Sequence, residues 1–188
     1  MIILIAGASH TGKTNLSQQL MERLNIPYIS IDHIKMGLIR SKVTELTPYD
    51  DEKLTPYLWS IVKEIIKTAI ENEQNLIVEG CYIPFDFKKD FSDDELSHIR
   101  YVCLVMSESY ITDNFQSIVS HSDIIEKRIS SALSAEKLIA DNKTNVGGCE
   151  HFKLDYYMID KSYNSEEMLR AVIEIIRKSP KNHENIIS

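Results

Sequence analysis

The eight residues Gly7-Ala8-Ser9-His10-Thr11-Gly12-Lys13-Thr14 constrain this chain more than any other stretch. They follow a short apolar run, Ile2-Ile3-Leu4-Ile5-Ala6, and precede Leu16, Leu20, Met21 and Leu24, whose spacing lays one apolar stripe along a helix. A β-branched run without polar alternation is the pattern of a strand buried on both faces of a parallel sheet. The order is therefore strand, glycine-rich turn, helix, and the turn fits G-x-x-x-x-G-K-[ST] at each fixed position. Gly7 and Gly12 let the backbone wrap close to an anion, and successive amides with the helix N-terminus supply positive potential. The Lys13 ammonium then reaches the outer phosphates of a triphosphate, and the Thr14 hydroxyl is placed to coordinate magnesium. Ser9, His10 and Thr11 belong to the nucleotide-binding loop by position. An x position tolerates many residues, so the His10 side chain is given no role of its own.

The alternation of strand and helix continues. Asn25 and Pro27 stop the first helix, Tyr28 to Ile31 predicts a second strand ending at Asp32, and Ile34 to Ser41 starts another helix. Lys42 to Thr55, with Pro48 and Pro56 as breakers, reads as a loop. Leu58, Ile61, Val62, Ile65, Ile66, Ala69 and Ile70 follow helical spacing, and Leu76-Ile77-Val78 is a third strand carrying Glu79-Gly80 at its carboxyl end. Ser92-x-x-Glu95 is a capping-box pattern, and Tyr101 to Met106 a fourth strand. Ser109 to Leu138 is helical with a break near Ser120-His121-Ser122, and Asp141 to Glu150, containing Gly147-Gly148, is expected to be a loop. Tyr156 to Ile159 supplies a fifth strand. Met168, Leu169, Val172, Ile173 and Ile176 mark a last amphipathic helix, before a polar tail beyond Pro180. Such alternation demands crossover connections, hence an α/β fold with a mostly parallel sheet covered by helices on both faces. Ligands on these sheets sit at the carboxyl ends of the strands, where Gly7, Asp32, Glu79, Ser107 and Asp160 fall.

The length of 188 residues suits one domain, and a formal net charge of −7 argues against general nucleic-acid binding, which needs a basic face. Cys81, Cys103 and Cys149 are far apart and form no CxxC pair, so neither a disulfide framework nor a zinc site is indicated. The apolar N-terminal run is too short for a signal peptide or membrane span. A cytoplasmic protein without nucleic-acid or membrane partners is expected.

Two acids join the loop as candidates. Glu79, at the end of an apolar strand, can reach a magnesium ion or its waters, or can cap a turn. Asp32 can act as general base toward an acceptor hydroxyl, hold the acceptor, or N-cap the following helix. Transferring phosphoryl groups concentrate negative charge, so cations are expected nearby. Arg23, Arg100, Arg170 and Arg177 are placed away from the loop by topology. Arg40 and Arg128 remain, with Lys127 behind them; each is otherwise a solvated surface charge.

With the loop in this setting, and with Ile31-Asp32-His33, Val78-Glu79-Gly80 and the Tyr156-to-Asn164 segment, the chain resembles the nucleoside-monophosphate-kinase-like branch of P-loop kinases. That group includes adenylate, cytidylate, shikimate and gluconate kinases, chloramphenicol phosphotransferase and 2-phosphoglycerate-kinase-like proteins. The resemblance implies a three-layer α/β/α P-loop NTPase fold with a five-stranded parallel sheet in the order 2-3-1-4-5. It implies an acceptor-binding helical region at about 33–57 containing Arg40, and a lid-like region at about 109–150 containing Arg128. It also implies that Tyr163 and Asn164, in the loop after the last strand, hold the adenine. Two departures bear on the acceptor. Glu79-Gly80 leads into Cys81-Tyr82-Ile83-Pro84-Phe85 without the arginine that adenylate kinases carry there, and the arginine-rich lid is missing. Both reduce the positive charge available to a phosphorylated acceptor, and an acid at Asp32 is similar to the hydroxyl-phosphorylating members.

The expected function is thus an ATP- and magnesium-dependent phosphotransferase acting on a small-molecule hydroxyl. Lys13, Asp32 and Arg128 are its catalytic residues, Thr14 and Glu79 its metal ligands, and Asp32, Arg40 and Glu79 its acceptor contacts. The alternatives are a nucleoside monophosphate kinase and an ATP-binding regulator without an acceptor. The Asn/Thr-Lys-x-Asp run of guanine-reading switches does not occur in the chain.

Overall fold

A computed structural model describes residues 1–120 and 134–178. Five strands, β1 (Ile2–Gly7), β2 (Tyr28–Ser30), β3 (Leu76–Glu79), β4 (Ile99–Met106) and β5 (Tyr156–Ile159), form one sheet in the order β2-β3-β1-β4-β5. Every neighbouring pair is parallel, with Leu4 between Val78 and Tyr101, and Ser30 opposite Glu79. The order is the one implied by the kinase resemblance. The helices are α1 (Lys13–Leu24), α2 (Ile31–Arg40), α3 (Asp51–Glu71), α4 (Asp93–Ser97), α5 (Glu108–Ser120), α6 (Ala135–His151) and α7 (Ser165–Arg177), with a 3-10 turn at Phe87–Asp90.

The period-2 alternation of side chains divides the sheet between two cores. Ile2, Leu4 and Ala6 of β1, with Tyr101, Cys103 and Val105 of β4, pack with the α3 stripe Leu54, Leu58, Trp59, Val62 and Ile66. Ile3, Ile5, Val102, Leu104 and Met106 turn to the other face, against Leu16 and Leu20 of α1, Ile111 of α5 and Met168, Val172 and Ile176 of α7. Three layers result, and β1 is buried along its whole length. Each fully buried Ile or Leu contributes about 1.5–3 kcal/mol by leaving water. The strand carrying the loop is thus firmly held between β3 and β4.

Three expectations are corrected. The second strand stops at Ser30, so Ile31 and Asp32 lie in the first turn of α2, and the N-cap position falls to Ser30 rather than Asp32. The helix expected near Leu58 begins at Asp51 and carries Pro56 inside it. Pro56 and Glu52 are both exposed, so the carbonyl that loses its helical donor lies on the solvent side, and burial of Leu54 and Leu58 carries the helix through. The segment from Asp141 to Glu150 is helix, not loop, because α6 runs through Gly147-Gly148. A Cβ on Gly148 would lie 2.5 Å from the Phe85 ring, so this glycine serves a close approach instead of a turn. Within α6 the buried Asn142 accepts the Met106 amide at 2.7 Å and donates to the Leu138 carbonyl at 2.8 Å, which ties the helix to the end of β4.

Candidate nucleotide and acceptor site

The loop from Gly7 to Thr14 leaves β1 in backbone conformations that few residues adopt. Gly7 has φ 140°, and a Cβ there would stand 2.3 Å from the Leu104 carbonyl oxygen of β4. Gly12 has φ 87° and occupies the N-cap position of α1. His10 takes φ 67°, a left-handed conformation that costs a non-glycine residue about 1–2 kcal/mol. Strain of this kind gathers at functional loops.

The Ala8 carbonyl oxygen organises the loop from inside, accepting the Thr11 hydroxyl at 2.9 Å and the Lys13 ammonium at 2.7 Å. Thr11 and Lys13 are both buried. No side chain caps α1 at this end, and the first helical acceptor is the Gly12 carbonyl, taken by Leu16 at 2.9 Å. The amides of Lys13, Thr14 and Asn15 therefore precede the first closed turn and carry the positive end of the helix dipole. Ser9 lies at the rim, its Oγ 3.9 Å from the exposed Cys81 thiol.

Thr14 and Glu79 meet. The Thr14 hydroxyl donates to Glu79 Oε1 at 3.2 Å, joining the start of α1 to the end of β3, and Glu79 is 1% exposed. Opposite Glu79 in register, the Ser30 hydroxyl is buried without a hydrogen-bond partner among the described residues. Among the described residues no cluster of three or more His, Cys, Asp or Glu forms a metal cage. A hard divalent ion such as magnesium is commonly held by one or two protein oxygens together with phosphates and water, and one hydroxyl beside one buried carboxylate suits that demand.

Asp32 stands beside this edge, since Gly80, next after β3, packs on Ile31 so tightly that a Cβ would be 2.9 Å from it. Asp32 Oδ1 is 2.5 Å from the Lys35 ammonium, one turn along α2. Lys35 donates to the Tyr82 hydroxyl at 3.0 Å, and Tyr82 donates to Asp51 Oδ1 at 2.9 Å. Burial, followed by the charges of Asp51 and Asp32, pushes the Tyr82 phenol far above its ordinary range, so it stays a protonated donor. Sequence reasoning missed Lys35, Tyr82 and Asp51. The three-residue spacing of Asp32 and Lys35 on a helix was the available signal.

Tyr163 reaches the loop from the segment after β5. Its hydroxyl would meet a Gly12 Cβ at 2.5 Å and accepts from the Asn15 side-chain Nδ2 at 3.0 Å. Asn164 N-caps α7, its Oδ1 accepting from the Glu167 amide at 3.1 Å. Arg40 is the last residue of α2 and is exposed. Arg128 and Lys127 lie outside the described residues. Arg100 is spent on the Ser97 and Ile99 carbonyls at the amino end of β4, and Arg170 and Arg177 pair with Glu166 and Glu174. A concavity between α5 and α6 is lined by Phe115 and Ile139, with Asn142 of α6 one turn on from Ile139 and bonded to the Met106 amide at the end of β4.

Solved structures share this fold. A deoxyadenosine kinase from M. mycoides, with dCMP and dCDP bound, superposes with a TM-score of 0.59 at 13% identity over 93% of this chain and 97% of that one. A shikimate kinase from Bacteroides thetaiotaomicron gives 0.57 at 13% identity, covering 95% of this chain and 99% of that one. A sugar kinase from Janibacter sp. gives 0.55 at 13% identity over 93% and 92% of the two chains. No family model and no curated protein matches the sequence. At these identities the likeness is one of fold.

Proposed function

We propose that the chain is an ATP- and magnesium-dependent phosphotransferase whose acceptor is a small molecule bearing a hydroxyl group. The observation that carries the reading is the Thr14–Glu79 contact, next to Lys13 at the carboxyl edge of the sheet, with Asp32 two residues beyond Ser30, the register partner of Glu79. Lys13 and the amides ahead of α1 hold the phosphates and offset the charge that accumulates on the transferring group. Thr14 and Glu79 hold the magnesium, which polarises the phosphoryl oxygens when bound. Asp32 orients the acceptor hydroxyl and takes its proton as the new P–O bond forms and the bond to the leaving diphosphate breaks.

The adenine is assigned to the loop of Tyr163 and Asn164, and the acceptor to the region of about 33–57, with Arg40 at its far end. Arg128, in a lid region of about 109–150, supplies the cation that closes over the phosphates and excludes water. Three free thiols and the absence, among the described residues, of a helix long and apolar enough to cross a membrane support a cytoplasmic setting.

The test is transfer of label from [γ-32P]ATP with magnesium to panels of polyols, sugars, hydroxy acids, nucleosides and nucleoside monophosphates. Labelled hydroxyl compounds support the reading. Transfer confined to nucleoside monophosphates overturns the choice of acceptor, and ATP binding with no transfer to any panel leaves a regulator.

A further inference from the structure

We propose that Lys35, held from behind by Tyr82 and Asp51, is a positioning residue for Asp32, fixing the carboxylate that meets the acceptor hydroxyl. The proposal rests on the phosphotransfer reading above and adds to it three residues from three separate segments.

An ion pair one turn apart on an exposed helix is weak, about 0.2–0.5 kcal/mol, and leaves both side chains free to rotate. The Asp32–Lys35 pair is not of that kind. The Lys35 side chain is 12% exposed and that of Asp32 21%, so the ammonium is the more enclosed partner. Its position is over-determined: Asp32 Oδ1 at 2.5 Å, the Tyr82 hydroxyl at 3.0 Å, and the Tyr82 ring centroid at 5.0 Å. An ammonium can only donate, so Tyr82 accepts from Lys35 and must send its own proton onward, to Asp51 Oδ1 at 2.9 Å. The direction of every hydrogen bond is thereby fixed, from Tyr82 to Asp51 at one end and from Lys35 to Asp32 at the other.

The three segments differ in how firmly they are anchored. Tyr82 is 5% exposed in the core beneath α3 and lies three residues past the end of β3, so it refers the chain to the same strand that ends in Glu79. Asp51 opens α3 and carries the second carboxylate. Charges shared along such a chain polarise one another, and the central donor holds both ends. Asp32 is thus aligned with respect to Glu79 and the phosphate loop through β3, instead of by the short helix that bears it.

The experiment follows turnover of MgATP with two acceptor probes, water and glycerol, in Lys35→Met, Lys35→Arg, Tyr82→Phe, Asp32→Asn and the Asp32→Asn/Lys35→Met double variant. Thermal midpoints and calorimetric MgATP affinity verify folding and the nucleotide site. Asp32→Asn is expected to lower kcat about 100-fold. Lys35→Met lowers it about tenfold alone and adds nothing once Asp32 is replaced, with KM for ATP within about twofold of wild type. Lys35→Arg restores part of the rate. In the 15N spectrum of side-chain ammonium groups, the protected Lys35 signal present in the wild type is displaced in Tyr82→Phe, a readout that needs no acceptor and survives if Lys35→Met does not fold.

Multiplying rather than saturating losses in the double variant, or a loss in Lys35→Met that appears wholly in ATP affinity, overturns the positioning role. An unmoved ammonium signal in Tyr82→Phe does the same. Asp32→Asn turning over at the wild-type rate overturns Asp32's part and the inference with it. Wild-type protein that turns over MgATP with neither probe and labels no acceptor panel overturns the phosphotransfer reading itself.

Discussion

The Tyr163 hydroxyl stands over Gly12, and a Cβ built on that glycine would lie 2.5 Å from it. With Asn15 Nδ2 donating to the same oxygen at 3.0 Å, an aromatic ring from beyond the last strand forms part of the wall of the glycine-rich loop. Gly12→Ala therefore meets two obstacles, the ring and its own φ of 87°. The variant is expected to lose about 1–2 kcal/mol of stability. It should also bind MgATP at least about tenfold more weakly, since misplacing the loop forfeits about 1.4 kcal/mol or more. Adding Tyr163→Ala removes the ring but not the backbone strain, so stability returns only in part. Thermal unfolding and calorimetry decide; a double variant as stable as the wild type refutes the strain component.

Lys13→Ala is expected to lower ATP turnover at least about 100-fold, because the cation that the proposed function assigns to the outer phosphates is gone. The loss leaves the Ala8 carbonyl with the Thr11 hydroxyl as donor, so the fold persists. Turnover near the wild-type rate in a folded variant removes the central assignment of the loop.

Cys81 is exposed, whereas Cys103 and Cys149 are buried. Iodoacetamide should modify one thiol per chain, at Cys81, as read by peptide mass. Because Cys81 Sγ lies 3.9 Å from Ser9 Oγ, MgATP in the loop is expected to slow that modification. An unchanged rate at saturating MgATP would place the nucleotide elsewhere.

Asp90 accepts hydrogen bonds from Trp59 Nε1 at 2.9 Å and Lys63 Nζ at 3.1 Å, and the Trp59 bond, with help from Lys63, holds its carboxyl below the usual range. A carboxyl with a depressed folded-state pKa stabilises fully above its unfolded value, about 3.9, and loses that contribution as pH falls through the lower folded value. Trp59 is the sole tryptophan, so its emission should change only as the pH drops below about 4. Asp90→Asn should be less stable at neutral pH by about 1–2 kcal/mol, with a flatter dependence on acid. Equal slopes for variant and wild type would refute the coupling.

Gly147 and Gly148 are adjacent in α6 and should respond in opposite directions. Nothing lies within 4 Å of a Cβ on Gly147, so Gly147→Ala gains helix propensity and stabilises by about 0.5–1 kcal/mol. Gly148→Ala drives a methyl into the Phe85 ring and destabilises by about 1–3 kcal/mol. Chemical denaturation of the two variants checks the pair.

That pair also shows what the sequence could and could not convey. Ile2 to Ala6 and Tyr101 to Met106 were legible as buried strands because both faces of the sheet are covered, so no polar alternation interrupts them. The loop was legible because its chemistry is local. Gly147-Gly148 looked like a turn, since glycine's need at 148 comes from Phe85, a neighbour that periodicity does not reveal. Pro56 looked like a breaker for the same reason: the buried stripe that carries the helix past it is a tertiary fact. Asp32 was placed at the right edge but one element early, and its partners Tyr82 and Asp51 sit in segments shaped by packing rather than by pattern. The order of the strands came with the family resemblance, because apolar runs do not say which run lies beside which.

The Lys13 ammonium is already engaged by the carbonyl of Ala8. An incoming anion therefore trades one partner for another instead of meeting an unclaimed charge, and a lone orthophosphate gains little by the trade. On the proposed reading, a three-phosphate tail would recover the difference by spreading along the helix entrance, so that ligand length, more than charge alone, would set how tightly the cradle grips.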